Sequence, residues 1–98
     1  MPFPGNIRRR YALPEIKLLL PGQRGVYGIY NDDKWLYIGH STDMRASLIE
    51  HWETDARLEA LGPTGWTFEI TKVERVRQTL LISELRPVLN ARTAHVSV

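Results

Sequence analysis

The sequence predicts a small α/β domain, an antiparallel sheet of about three strands flanked by helices. Three observations predict it. Two runs rich in strand-forming residues, 25–30 and 35–39, sit either side of the polar turn Asn31-Asp32-Asp33-Lys34. Met44, Leu48 and Trp52 then recur every four positions, which lays one apolar stripe along a helix. Finally, residues 66–73 alternate apolar and polar before a second helical stretch, 74–85.

The elements follow in order. Pro4-Gly5 and Pro21-Gly22 punctuate the first residues, so 1–23 reads as an arm holding one short helix at 14–20, with Pro14 in its first turn. Gly-Val-Tyr-Gly-Ile-Tyr at 25–30 and Trp-Leu-Tyr-Ile-Gly at 35–39 form a hairpin. Ser41-Thr42-Asp43 supplies capping oxygens for a helix running to about Glu53. A shorter helix over 55–61 ends at Gly62-Pro63. In the third strand Trp66, Phe68 and Ile70 alternate with Thr67, Glu69 and Thr71. The last helix carries Val76, Leu80 and Leu81 toward the core and stops at Arg86-Pro87, because proline disfavours helical geometry in the residue before it. The division is therefore a basic arm (1–23), the α/β domain (24–91) and a short unpatterned tail (92–98).

Ninety-eight residues make one domain, near the lower limit of a self-sufficient core. No apolar run approaches the roughly 18 to 20 residues that span a bilayer. The first residues lack the charged-then-apolar pattern of a secretory signal. With no cysteine, a disulfide framework and a thiolate zinc site are both excluded. The expectation is a soluble, intracellular, cytoplasmic protein that meets no membrane.

Charge is unevenly spread. Arg8, Arg9, Arg10, Lys17 and Arg24 face only Glu15 at one end, and Arg75, Arg77, Arg86 and Arg92 face only Glu84 at the other. The middle holds Asp43, Glu50, Glu53, Asp55 and Glu59. Ten of the 13 cationic residues are arginine, the side chain that grips phosphate with two parallel hydrogen bonds. Basic ends around an acidic middle suit a polyanion binder whose cleft also holds a metal, and suit a solvated surface nearly as well.

The hairpin and the segments after it carry a family likeness. Gly25-Val26-Tyr27 and, ten residues on, Tyr37-Ile38-Gly39 resemble the paired tripeptides of the GIY-YIG nucleases. His40-Ser41-Thr42-Asp43-Met44-Arg45 is similar to the family's loop and helix start. Leu81-Ile82 with Pro87 and Asn90 looks like its closing pattern. The resemblance covers about residues 24–91.

What it implies is an endonuclease that cuts one DNA strand at a time with a single divalent ion, Mg²⁺ or Mn²⁺. Two tyrosines position or activate water, an arginine neutralises the phosphate, and a glutamate holds the metal. Such a division suits phosphodiester cleavage, which needs a nucleophile and relief of charge on both the phosphate and the leaving group. Carried over, Tyr27 and Tyr37 match the tyrosines. His40 stands where many members have lysine, and His51 stands where relatives have histidine or tyrosine. Gly25, Gly39 and Asn90 match structural positions.

Two positions depart. The arginine position, eight residues after Gly39, holds Ser47, and Arg45 lies about 200° round the helix from it. The metal-ligand position, twelve residues before Asn90, holds Gln78, which offers a hard cation no charge. Glu74, one turn earlier on nearly the same face, is the available substitute, whereas Glu84 reads as solvated. Arg8, Arg9, Arg10 and Arg45 are the candidate DNA contacts. The expected activity is that of a DNA-binding endonuclease domain impaired at two catalytic positions. The alternative is a non-catalytic DNA-binding or protein-interaction module on the same fold.

Overall fold

The computed structural model describes residues 9–32 and 34–90. Arg8, Asp33, Arg92 and the tail 92–98 lie outside the described residues. The elements are β1 (Arg9–Arg10), α1 (Leu13–Ile16), β2 (Gly25–Asn31), β3 (Lys34–Ser41), α2 (Met44–Thr54), α3 (Ala56–Ala60), β4 (Gly65–Ile70) and α4 (Glu74–Leu85). One antiparallel sheet runs β1-β4-β2-β3.

The α/β class and the hairpin agree with the sequence, but the sheet has four strands rather than three. The added strand is β1, where Arg9 pairs with Trp66 and Arg10 with Gly65. Two arginines carry no strand pattern, so only the open edge of β4 reveals them. The guanidinium of Arg9 also lies over the Trp66 and Phe68 rings, at 5.7 and 5.6 Å from their centroids. The segment expected to be an arm is therefore part of the fold from residue 9 onward. Tyr11, Ile16 and Leu19 are buried in the main core with Ile29, Met44, Leu48, Leu58 and Trp66. The expected helix at 14–20 shortens to α1, and Leu18 and Leu20 remain exposed.

Strand β2 is central, and its pleat splits the domain. Tyr27 and Ile29 point into the larger core under α1, α2 and α3. Val26 points to the opposite face, where it packs with Ile38 of β3 and Leu81 of α4. The helix stripes are narrower than expected. Met44 and Leu48 of α2 are fully buried, but Trp52 is 38% exposed. On α4 Leu81 is buried, whereas Val76 and Leu80 are 60% and 56% exposed. Among the described residues helix α4 packs chiefly against β2 and β3, so only one ridge of the helix finds a partner. Ile70 is likewise exposed, because β4 ends there at the sheet margin.

Candidate functional site

Antiparallel pairing of β2 and β3 sets Tyr27 opposite Gly39, and Tyr37 opposite Ile29. Both tyrosines consequently lie on the face covered by α2. Their ring centroids are 6.2 Å apart. His51 of α2 meets both, at 5.7 Å from Tyr27 and 5.0 Å from Tyr37. The placement of α2 follows from its start: the Asp43 side chain accepts from Ala46 N–H, and Met44 N–H donates to Gln23 O.

Gly39 makes room for the Tyr27 ring. A methyl group there would land inside the ring and its hydroxyl. Gly25 is equally constrained, since a side chain would meet the Glu69 carbonyl of β4. Gly39→Ala is accordingly expected to displace Tyr27 from His51 and to cost about 1–3 kcal/mol through overpacking. Thermal unfolding together with the His51 ring resonances would check it; an unshifted ring would show that Tyr27 has another resting place.

The hydroxyl of Tyr27 bonds His51 Nε2 at 2.8 Å, and His51 Nδ1 bonds Asp55 Oδ2 at 2.9 Å. Ser47, one turn before His51, donates to Ser41 Oγ at 2.8 Å. Tyr27, Ser47, Glu50, His51, Thr54 and Asp55 line an open cavity of about 390 Å³. A second cavity of about 480 Å³ adjoins it through His51 and is lined by Tyr11, Trp52, Glu59, Gly62 and Pro63.

Burial pushes the Tyr27 hydroxyl well above the ordinary phenol range; Tyr37 adds to this and the Ser47 hydroxyl opposes it. Burial also raises Tyr37, with the Asp55 charge contributing. Tyr11 is pushed up to about 12 by burial, then by Asp55 and Glu59. Burial acts to raise Asp55 too, but the Leu58 N–H and the His51 ring outweigh it and hold the carboxyl below its usual value. Both tyrosines stay protonated at neutral pH while Asp55 stays charged.

His40, Gln78 and Glu74 gather on the other face of β3. His40 pairs with Val26, on the α4 side, and its Nδ1 bonds Gln78 Oε1. Gln78 Nε2 donates to Ile38 O at 3.0 Å. Since that fixes Oε1 as the acceptor, His40 Nδ1 carries the proton in this pair. Glu74 lies one turn earlier and receives Arg24 Nε at 2.8 and 3.0 Å on its two oxygens. That guanidinium holds the Glu74 carboxyl below its usual value. Among the described residues, no hydrogen bond or ion pair links this group to the Tyr27–His51 group.

The donors present do not fit a divalent metal. Gln78 offers a neutral oxygen already engaged by His40, Glu74 is engaged by Arg24, and no cluster of three His, Asp or Glu suited to a metal occurs among the described residues. Arg45 joins neither group: on the first turn of α2, its Nε is buried without a hydrogen-bond partner among the described residues. Glu84 is exposed, as expected. Asn90 bonds both backbone groups of Ile38.

Asp55 was not among the candidates read from the sequence. Its only signal there is the four-residue step from His51, which aligns the two side chains on one helical face. No helix among the described residues is long and apolar enough to cross a membrane. Comparison with protein-family models, with characterised proteins and with solved structures finds no match to this chain.

Proposed function

We propose that this chain is a GIY-YIG-type nuclease domain that binds DNA but, with Ser47 and Gln78 in place, cleaves it at a strongly reduced rate. The observation that carries the reading is the pairing of the two tripeptides. Tyr27 and Tyr37 sit on neighbouring strands, on one face, around His51. A phosphate in such a cleft needs a cation: Ser47 supplies none, and Gln78, on the other face of β3, offers a metal ion no charge. Loss of a phosphate-facing arginine costs roughly 10³ to 10⁵ in rate in comparable phosphoryl-transfer sites.

Cations that would meet a DNA backbone stand away from the cavity. Arg24, Lys72 and Arg75 line a shallow depression at the start of α4, and Arg10 is exposed on β1. The test combines binding of short DNA duplexes at two salt concentrations with plasmid nicking in Mg²⁺ or Mn²⁺. Binding that weakens steeply with salt, with nicking near background, supports the reading. Absence of binding at low salt overturns it.

Replacing Arg8 and Arg10 with alanine is expected to flatten the slope of log affinity against log salt by about 0.9 per lost phosphate contact. Arg9 is left in place because it packs on Trp66 and Phe68. An unchanged slope would assign both arginines to solvent.

One observation favours a second reading. Among the described residues, the lining of the 390 Å³ cavity includes Glu50 and Asp55 and no lysine or arginine, so it repels phosphate and attracts a basic side chain. An interaction module that takes an arginine- or lysine-bearing segment would bind such peptides in preference to DNA, and a competition experiment separates the two.

A further inference from the structure

We propose that Asp55 is a positioning residue. It holds His51 with the proton on Nδ1, so that Nε2 accepts the hydroxyl proton of Tyr27 and turns the Tyr27 oxygen lone pairs toward the cavity. The catalytic consequence rests on the nuclease reading above; the proton placement does not.

The geometry comes from the elbow between α2 and α3. Asp55 is held at three points. Its N–H donates to His51 O at 3.1 Å, Oδ1 caps α3 by accepting Leu58 N–H at 3.1 Å, and Oδ2 meets His51 Nδ1 at 2.9 Å. With Oδ1 committed to the cap, Oδ2 is the oxygen turned to the ring. A carboxylate can only accept, so Nδ1 must donate. A neutral imidazole carries one proton, which leaves Nε2 as an acceptor 2.8 Å from the Tyr27 hydroxyl. The pair is sheltered, with side chains only 18% and 24% exposed, which limits competition from water.

This chain ends on the cavity lined by Tyr27, Ser47 and His51. A water entering beside Tyr27 can give one proton to the Tyr27 oxygen as the Tyr27 proton passes to His51 Nε2. Hydroxide and a His51 imidazolium result, with no change in the count of protons, and the Asp55 carboxylate offsets the new positive charge. A carboxylate behind a histidine acts in the same way in serine hydrolases, where it sets the tautomer without itself taking the proton.

Asp55→Asn tests the placement without removing the cap. If the asparagine oxygen keeps Leu58 N–H, its NH₂ faces His51 and forces the opposite tautomer. The measurement is the long-range ¹H–¹⁵N spectrum of the histidine rings in the full ¹⁵N-labelled chain at pH 8, where a free imidazole is neutral. His51 signals are assigned by their loss in His51→Asn. The expected result is the Nδ1–H form in the parent chain and the Nε2–H form in Asp55→Asn.

Tyr27→Phe should leave the Nδ1–H form in place, since Asp55 rather than Tyr27 sets it. An Nε2–H form in the parent, a tautomer unmoved by Asp55→Asn in a folded chain, or a flip in Tyr27→Phe would each overturn the proposal. None of these readings depends on cleavage, so a protein that never nicks DNA would sink the nuclease reading and leave the assignment of Asp55 standing.

Discussion

Changing Ser47 to arginine and Gln78 to glutamate in one chain is expected to switch on nicking of supercoiled plasmid, by at least about 10³ over the parent. Each single change should recover far less. Ser47 stands one α2 turn before His51 on the rim of a cavity whose charged groups are Glu50 and Asp55. A guanidinium there would turn a phosphate-repelling cavity into one that can hold a phosphate. At position 78 the substitution keeps the acceptor facing His40, loses the donor to Ile38 O, and sets a second carboxylate one turn from Glu74. Two carboxylates so placed favour a divalent cation over a neutral amide.

Groups that act as one unit are not additive, which is why the singles should lag. The readout is plasmid nicking in Mg²⁺ or Mn²⁺ for the parent, both singles and the double. Titration calorimetry with the same ions should show tighter binding in Gln78→Glu. A double variant that stays folded and bound to DNA yet silent would mean that the two faces of β3 do not close on one phosphate. The interaction module would then be the better reading.

Asn90→Ala is expected to be the most damaging single polar substitution, at about 2–3 kcal/mol, which corresponds to a fall in Tm of roughly 10–20 °C for a domain of this size. Among the described residues strand β3 is an outer strand of the sheet, and its outward backbone groups meet no neighbouring strand there. The Asn90 side chain replaces one. Oδ1 accepts Ile38 N–H and Nδ2 donates to Ile38 O at 2.9 Å, all of it buried. Truncation leaves Ile38 O with Gln78 but Ile38 N–H with no acceptor. Thermal melting of the parent, Asn90→Ala and Asn90→Asp would check this. Asn90→Asp should also lose stability, because its carboxylate faces Ile38 O. A shift under about 3 °C in Asn90→Ala would show that the latch is dispensable.

Local patterns made much of this architecture readable in advance. Alternation and turn residues located the hairpin. Capping oxygens located the start of α2, and Arg86-Pro87 marked the end of α4, where Arg86 closes the helix in the left-handed conformation, φ 49°. Those signals act within a few residues, so a linear reading captures them. The spacing of the tripeptides also brought Tyr27 and Tyr37 to neighbouring strands, since a short turn fixes hairpin register.

Contacts between residues distant in sequence were not legible, and they decided the rest. Arg9 and Arg10 become a strand only because β4, far along the chain, presents an open edge to them at Trp66 and Gly65. Burial of Tyr11, Ile16 and Leu19 turns an expected arm into core. Val76 and Leu80 fit a helical stripe but stay mostly exposed, and Trp52 is covered only in part, by Tyr11. The pleat of β3 sends Gly39 and His40 to opposite faces, which divides the expected site between α2 and α4. Sequence by itself determined which segments become strands and helices, because propensity, capping and turn chemistry are local energies. Only the tertiary structure decided which face each side chain shares and with whom. Those choices depend on where the chain returns, and they are what set Asp55 behind His51 and His51 behind Tyr27.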